Sequence, residues 1–243
     1  MDILRCSLVL FLLLVGCGRY FAGPIYPMPE DRQGPNTIVM DDGTVSYTYG
    51  RLEISLRPIS DEELNRQFAS HSKGGAKSTN PYTYGDWRPM GDRWTPPRFT
   101  VFLLKVKNYA YPKILVDPYR AELVSESGRR YKALSLEELS GYYQAFALGH
   151  AGNAYARFEE RRDILKATLY PSKRTLFSGQ EQEGYVVFPS LDDDVREFSV
   201  TLKDVALRFD YRNIPIETID LIYRFHRKVY KGYYPPPSLM EKR

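Results

Sequence analysis

The side chains able to do chemistry are few and scattered along the chain. His71, His150 and His226 lie far apart, and none has a metal-type companion three or four residues on, so no zinc-binding helix motif is present. There is no Gly-x-Ser-x-Gly elbow and no Walker loop, and Ser178-Gly179 reads as a turn before a strand. Asp192-Asp193-Asp194 offers the oxygen ligands that a hard cation favours. It lacks the alternating spacing and the glycine of an EF-hand loop, and three adjacent aspartates in a solvated turn are the simpler reading. Glu159, Glu160, Arg161 and Arg162 read as a salt-bridged, exposed helix surface, with a docking face as the alternative. Recognition-type side chains are concentrated in one stretch, where Tyr82, Tyr84, Trp87, Arg88, Arg93 and Trp94 stand among prolines and glycines. Trp, Tyr and Arg give large contact area with few rotors and dominate binding hot spots, and flat rings stack on sugars. The competing reading is a long loop whose aromatics close one end of the fold. No cofactor and no metal follow from these residues, and no catalytic residue is assigned.

The elements that would position them begin with an N-terminal signal. Met1 to Arg5 carries a net positive charge, and Ser7 to Val15 is almost wholly apolar, which is the n-region and h-region of a secretory leader. The run is broken by Gly16, Gly18 and Arg19, short of the about 20 residues that a bilayer span needs. It ends in Leu14-Val15-Gly16-Cys17, and these residues resemble the lipobox of bacterial lipoproteins. The resemblance implies that Leu14, Val15 and Gly16 are read by the lipoprotein signal peptidase. It also implies that Cys17 receives a diacylglycerol on its thiol and becomes the first, usually acylated, residue of the mature protein. One myristoyl-sized chain binds a bilayer only marginally, whereas two or three make release negligible. In enteric members of that family an aspartate after the cysteine retains the protein in the inner membrane. Gly18 stands there instead, which favours the outer membrane, facing the periplasm.

Cysteine usage and charge narrow the class further. Cys6 lies in the leader and Cys17 at the lipid, so no cysteine remains for a disulfide. The formal net charge of +4 is too small to argue for nucleic acid as a partner. The expected organisation is a signal peptide over 1–16, a lipidated cysteine and flexible tether over 17–43, a folded domain over 44–230 and a Pro-rich tail over 231–243. The tether rests on Pro24, Pro27, Pro29 and Pro35, which oppose regular ladders and helices.

Within 44–230 the periodicity is mostly that of strands. Val45, Tyr47 and Tyr49 alternate on odd positions and Leu52, Ile54 and Leu56 on even ones, so a bulge or tight bend at Gly50-Arg51 keeps both sets on one side. Phe99 to Val106 is a dense apolar run, and Tyr119, Ala121 and Leu123 alternate with Arg120 and Glu122. With Arg130 to Ala133 beyond the Ser127-Gly128 turn, these segments read as an antiparallel meander that buries Leu104 and Leu123 in facing or adjacent strands. Later strands carry Tyr185 to Phe188, then Phe198, Val200 and Leu202, with a parity shift near Lys203-Asp204, and then Ile219 to Phe225. Two capping boxes, Ser60-Asp61-Glu62-Glu63 and Ser135-Leu136-Glu137-Glu138, start helices. The second opens a two-helix insertion over about 135–170, packed as a hairpin or against one sheet.

About seven to nine strands with helices confined to one insertion predict a mainly β fold, an immunoglobulin-like antiparallel β-sandwich. Phe102 to Asn108 and Gly184 to Pro189 resemble segments of the immunoglobulin-like domains of bacterial envelope lipoproteins. With the lipobox resemblance and the aromatic loop over Tyr82 to Trp94, the expected function is that of a noncatalytic, lipid-anchored envelope protein that binds a protein partner or cell-wall material. A superfold carries no function by itself, so the alternative is an envelope hydrolase whose site assembles only in three dimensions.

Overall fold

The computed structural model describes residues 18–90, 94–148 and 154–240. Leu14 to Cys17, Arg93 and His150 lie outside the described residues. The strands are β1 (Arg19–Pro27), β2 (Thr37–Val39), β3 (Val45–Tyr49), β4 (Leu52–Ile59), β5 (Phe99–Asn108) and β6 (Lys113–Val116). Beyond them come β7 (Glu122–Ser125), β8 (Arg130–Lys132), β9 (Arg174–Phe177), β10 (Gln180–Pro189), β11 (Glu197–Phe209) and β12 (Pro215–Gly232). A five-stranded sheet has the order β10-β5-β4-β3-β2. A seven-stranded sheet has β1-β12-β11-β6-β9, with β7 pairing β11 and β8 pairing β7. The two antiparallel sheets pack as an immunoglobulin-like sandwich.

Alternation sends one face of each sheet into a shared core. Leu56, Phe102, Leu104 and Val106 from the five-stranded sheet meet Leu123, Phe198, Val200 and Phe225 from the seven-stranded one. Phe102 is the hub, with ring centroids 6.0 Å from Phe188, 6.5 Å from Phe198 and 5.1 Å from Phe225. Burying each such side chain stabilises the fold by about 1.5–3 kcal/mol. Leu104 and Leu123 are both fully buried here, on facing sheets. The stretch 99–133 is therefore no meander. Asp117 accepts a hydrogen bond from the Tyr119 N–H and starts a single 3-10 turn over Pro118–Arg120, so β7 begins at Glu122, and the chain crosses between sheets earlier, over 109–112, before β6 joins the seven-stranded sheet.

Local irregularities follow the parity of the sequence. Tyr49 pairs with Leu52, so Gly50-Arg51 is the tight turn of a hairpin, and Val45 opposes Leu56 as Tyr47 opposes Ile54. Between Leu202 and Val205 the β11 register shifts, and the Asp204 N–H leaves the ladder to donate to Asp220 Oδ1 at 2.8 Å.

Helices form a third layer. Helix α1 (Asp61–Gln67) is capped by Ser60, whose hydroxyl accepts from the Glu63 N–H. Helix α2 (Leu136–Leu148) has the full reciprocal box, with the Glu138 N–H on Ser135 Oγ at 3.1 Å and the Ser135 N–H on Glu138 Oε2 at 2.7 Å. With α3 (Ala154–Thr168) they cover the outer face of the five-stranded sheet, where Leu64, Leu139, Tyr143, Phe158 and Leu165 meet Ile59, Val101, Tyr185 and Val187. The chain leaving α3 crosses β10 so closely that a Cβ on Gly184 would lie 2.6 Å from the Tyr170 Cα. Only glycine admits that approach.

The segment 18–43 is not a tether. Arg19–Pro27 pairs with β12 from Arg19 opposite Gly232 to Pro27 opposite Phe225, and Phe21 and Ala22 are buried. Its prolines sit where a ladder tolerates them, since β1 is an edge strand and Pro24 falls at a register shift between Ala22 and Ile25. At the other end β12 runs to Gly232, and a short helix α4 (Pro237–Met240) follows within the expected tail.

Candidate functional site

The loop over 69–90 is held by its own polar side chains. Asn80 is fully buried, donating through Nδ2 to Ser72 Oγ at 2.9 Å and accepting the Tyr82 N–H at 2.9 Å. The Asp86 carboxylate accepts the N–H groups of Gly74 and Gly75 at 3.2 and 2.6 Å. Gly85 has a φ of +63°, and a Cβ there would meet the Ser72 carbonyl oxygen at 2.3 Å. Asn and Asp side chains thus stand in for the backbone ladder that prolines deny to this segment.

The predicted recognition residues divide among three environments. Tyr82 is interior, edge-on to Tyr185 at 5.1 Å, with its hydroxyl 2.5 Å from Thr168 Oγ1. Burial pushes its phenol pKa well up. Trp94 is also interior, T-shaped against Phe21 at 5.4 Å with the Arg19 guanidinium 5.2 Å from its ring. Tyr84 and Trp87 are half-buried partners at 5.5 Å, and the Arg98 guanidinium lies 4.1 Å over Tyr84. Arg88 is exposed. Tyr82 and Trp94 therefore belong to the packing of the domain, and the loop does not present these aromatics as one surface.

Arg161 corrects the exposed-helix reading of 159–162. It is 5% exposed, donates to the Ser78 carbonyl at 2.5 Å, and lies 4.9 Å from the Tyr143 ring. Arg98 donates to the Tyr143 hydroxyl at 3.1 Å, and that hydroxyl donates to the Pro81 carbonyl at 2.5 Å. Burial lowers the Arg161 pKa and raises that of Tyr143 to about 12 despite the adjacent Arg98. The set pins the loop to α2 and α3. Arg162 does pair with Glu159, at 2.6 Å, and Glu160 with His71 at 3.0 Å.

The aspartate triplet is clasped by an arginine. Arg129 donates to Asp192 and Asp194, both at 2.7 Å, and the Tyr131 hydroxyl donates to Asp192 at 2.7 Å. Arg129 holds the Asp194 carboxyl below its ordinary pKa, and burial raises that of Asp193. Among the described residues no group of three or more His, Cys, Asp or Glu side chains is placed to hold a metal.

A cleft of about 400 Å³ opens where β1 diverges from the end of β4 and the start of β5. Of the predicted recognition residues, Trp94 lines it. Trp94, Phe99 and Ile59 give it apolar walls; Arg57, Glu62 and Arg227 give it charge. Arg57 and Glu63 form a bidentate pair at 2.9 and 2.8 Å. Arg227 is buried and spends its guanidinium on the carbonyls of Val195 and Asp192 at 2.8 and 2.5 Å. At the rim the Thr44 N–H, donating at 3.0 Å, leads in holding the Asp42 carboxyl below its ordinary pKa, the reverse of what a proton donor needs. No histidine or cysteine lines the cleft among the described residues. Such a lining suits binding of a group that is partly apolar and partly charged.

Compared with protein-family models, with curated proteins and with solved structures, the chain gives no match. Among the described residues no helix is long and apolar enough to cross a membrane.

Proposed function

We propose that the chain is a noncatalytic cell-envelope lipoprotein, anchored by lipid on Cys17, that holds a protein partner or cell-wall material in the cleft beside β1. The order Leu14-Val15-Gly16-Cys17 after an apolar run supports the anchor. The observation that carries the binding role is the cleft itself, with Trp94 and Phe99 beside the Arg57–Glu63 pair. Binding pockets are concave and largely apolar, with a few fixed polar groups.

One set of variants tests both parts. Cys17→Ser should leave unprocessed precursor without lipid; a shortened protein that still partitions into detergent would refute the anchor. A photo-crosslinking residue in place of Glu62, at the cleft, should give a discrete adduct in intact envelopes. The same residue in place of Phe177, exposed on β9 of the other sheet, should not. Equal adducts at both positions, or none at 62, would remove the cleft from the function.

A further inference from the structure

We infer that the end of the sandwich where β1 begins and β12 ends is a bilayer-docking surface, with its tyrosines and basic side chains lying among lipid headgroups. The inference rests on the lipid at Cys17 proposed above. Cys17 is joined to Gly18 by one peptide bond, and consecutive Cα atoms are about 3.8 Å apart. Pairing begins at once, with Arg19 opposite Gly232 and Tyr20 opposite Lys231. No spacer separates the lipid from the folded body. Acyl chains on Cys17 would draw this end of the ladder into the polar layer of the membrane, which is only about 5–8 Å deep on each side.

The side chains at this end suit that layer. Tyr20, Tyr233 and Tyr234 are 37%, 76% and 85% exposed, leaving aromatic rings in water. Tyrosine concentrates at membrane interfaces because its ring is apolar and its hydroxyl is wet. Lys231 Nζ lies 5.6 Å from the Tyr20 ring, and Arg19 and Lys228 are exposed on the same paired segment. Asp193 is an acidic group within reach of Arg19 and Arg227. Cationic side chains at such a surface attract anionic headgroups. Continuity with the attachment point selects a bilayer as the occupant over a soluble partner. The far end of β12 provides an internal reference, since an 18-residue strand extends about 55–60 Å to the hairpin tip where Tyr211 is 85% exposed.

The test uses the full chain, expressed in a lipoprotein-processing bacterium, with Tyr234→Cys or Tyr211→Cys. Both side chains are exposed, so the fold is undisturbed. Each protein is labelled with a nitroxide in vesicles of phosphatidylcholine and phosphatidylglycerol, and the N-terminal peptide is weighed by mass spectrometry from the same sample. The expected result is lipid on Cys17, a label at 234 several-fold less accessible to a water-soluble nickel relaxant than one at 211, and correspondingly more accessible to oxygen. Lipid on Cys17 with equal nickel accessibility at both labels would overturn the docking surface and leave the anchor standing. A mature peptide without lipid would overturn the anchor, and the docking surface with it.

Discussion

Trp87 and Trp94 share a loop but not an environment, and substitution should separate them. Trp94 is enclosed by Phe21 and Arg19, so Trp94→Ala should cost about 3–5 kcal/mol, as removal of a packed aromatic does. Trp87 is half-buried and leans on Tyr84; Trp87→Ala should cost about 1 kcal/mol, of the order of one aromatic pair. Urea unfolding of both variants decides, and an equal loss in each would contradict the division. The sequence could not make this distinction, because loop composition is silent on what folds over the loop. Arg161 is different. It stands three residues after Phe158 and four before Leu165, both buried, and that spacing places it on the apolar face of α3. The neighbouring charges drew attention to an exposed surface, yet the periodicity held the better answer. Asn80 and Asp86 had no signal beyond being turn residues in a proline-rich stretch.

At the level of elements, Glu122 ties three strands together. From β7 its carboxylate accepts from Lys203 on β11 at 2.5 Å and from Arg130 on β8 at 3.1 Å. These contacts, the Lys203 hydrogen bond foremost, hold its pKa below the ordinary glutamate value against the effect of desolvation. A depressed carboxylate contributes stability above its unfolded pKa, and that contribution disappears as pH falls through the folded pKa. Both cations keep much of their side chain in water, which limits the contribution to about 1 kcal/mol. Glu122→Gln should therefore lower the thermal midpoint at pH 7 and flatten its fall below about pH 4, where the unfolded chain takes up a proton that the folded Glu122 still resists. An unchanged acid slope would remove Glu122 from the acid response. Much at this scale was legible. Both capping boxes form helices because Ser60 and Ser135 supply acceptors at the required spacing, and the parity break at Lys203-Asp204 is a true bulge. The prolines over 18–43 oppose an interior strand but not an edge one, so composition alone hides β1, and β6 is too short to stand out from its neighbours.

The whole molecule explains why some strands read as continuous apolar runs. The five-stranded sheet is covered on one face by the other sheet and on the opposite face by helices, so Phe99 to Leu104 and Tyr185 to Phe188 are apolar at nearly every position, as strands with two buried faces are. The seven-stranded sheet packs its core on one side, and Phe198 to Leu202 and Leu221 to Phe225 alternate cleanly. Its long β1–β12 ladder also fixes how the protein would bear load. Ladder hydrogen bonds lie across the strands, and β1 starts at the same end at which β12 stops. Tension between the N-terminus and the hairpin tip at Tyr211 runs along the strands and strains every rung together. Tension between the two chain ends opens the same ladder as a zipper, one rung at a time. In a single-molecule pulling experiment the first rupture should come at a markedly higher force with handles at the N-terminus and 211 than at the N-terminus and 234, so the body is strongest against loads that run from the start of β1 towards the hairpin, where they act in shear.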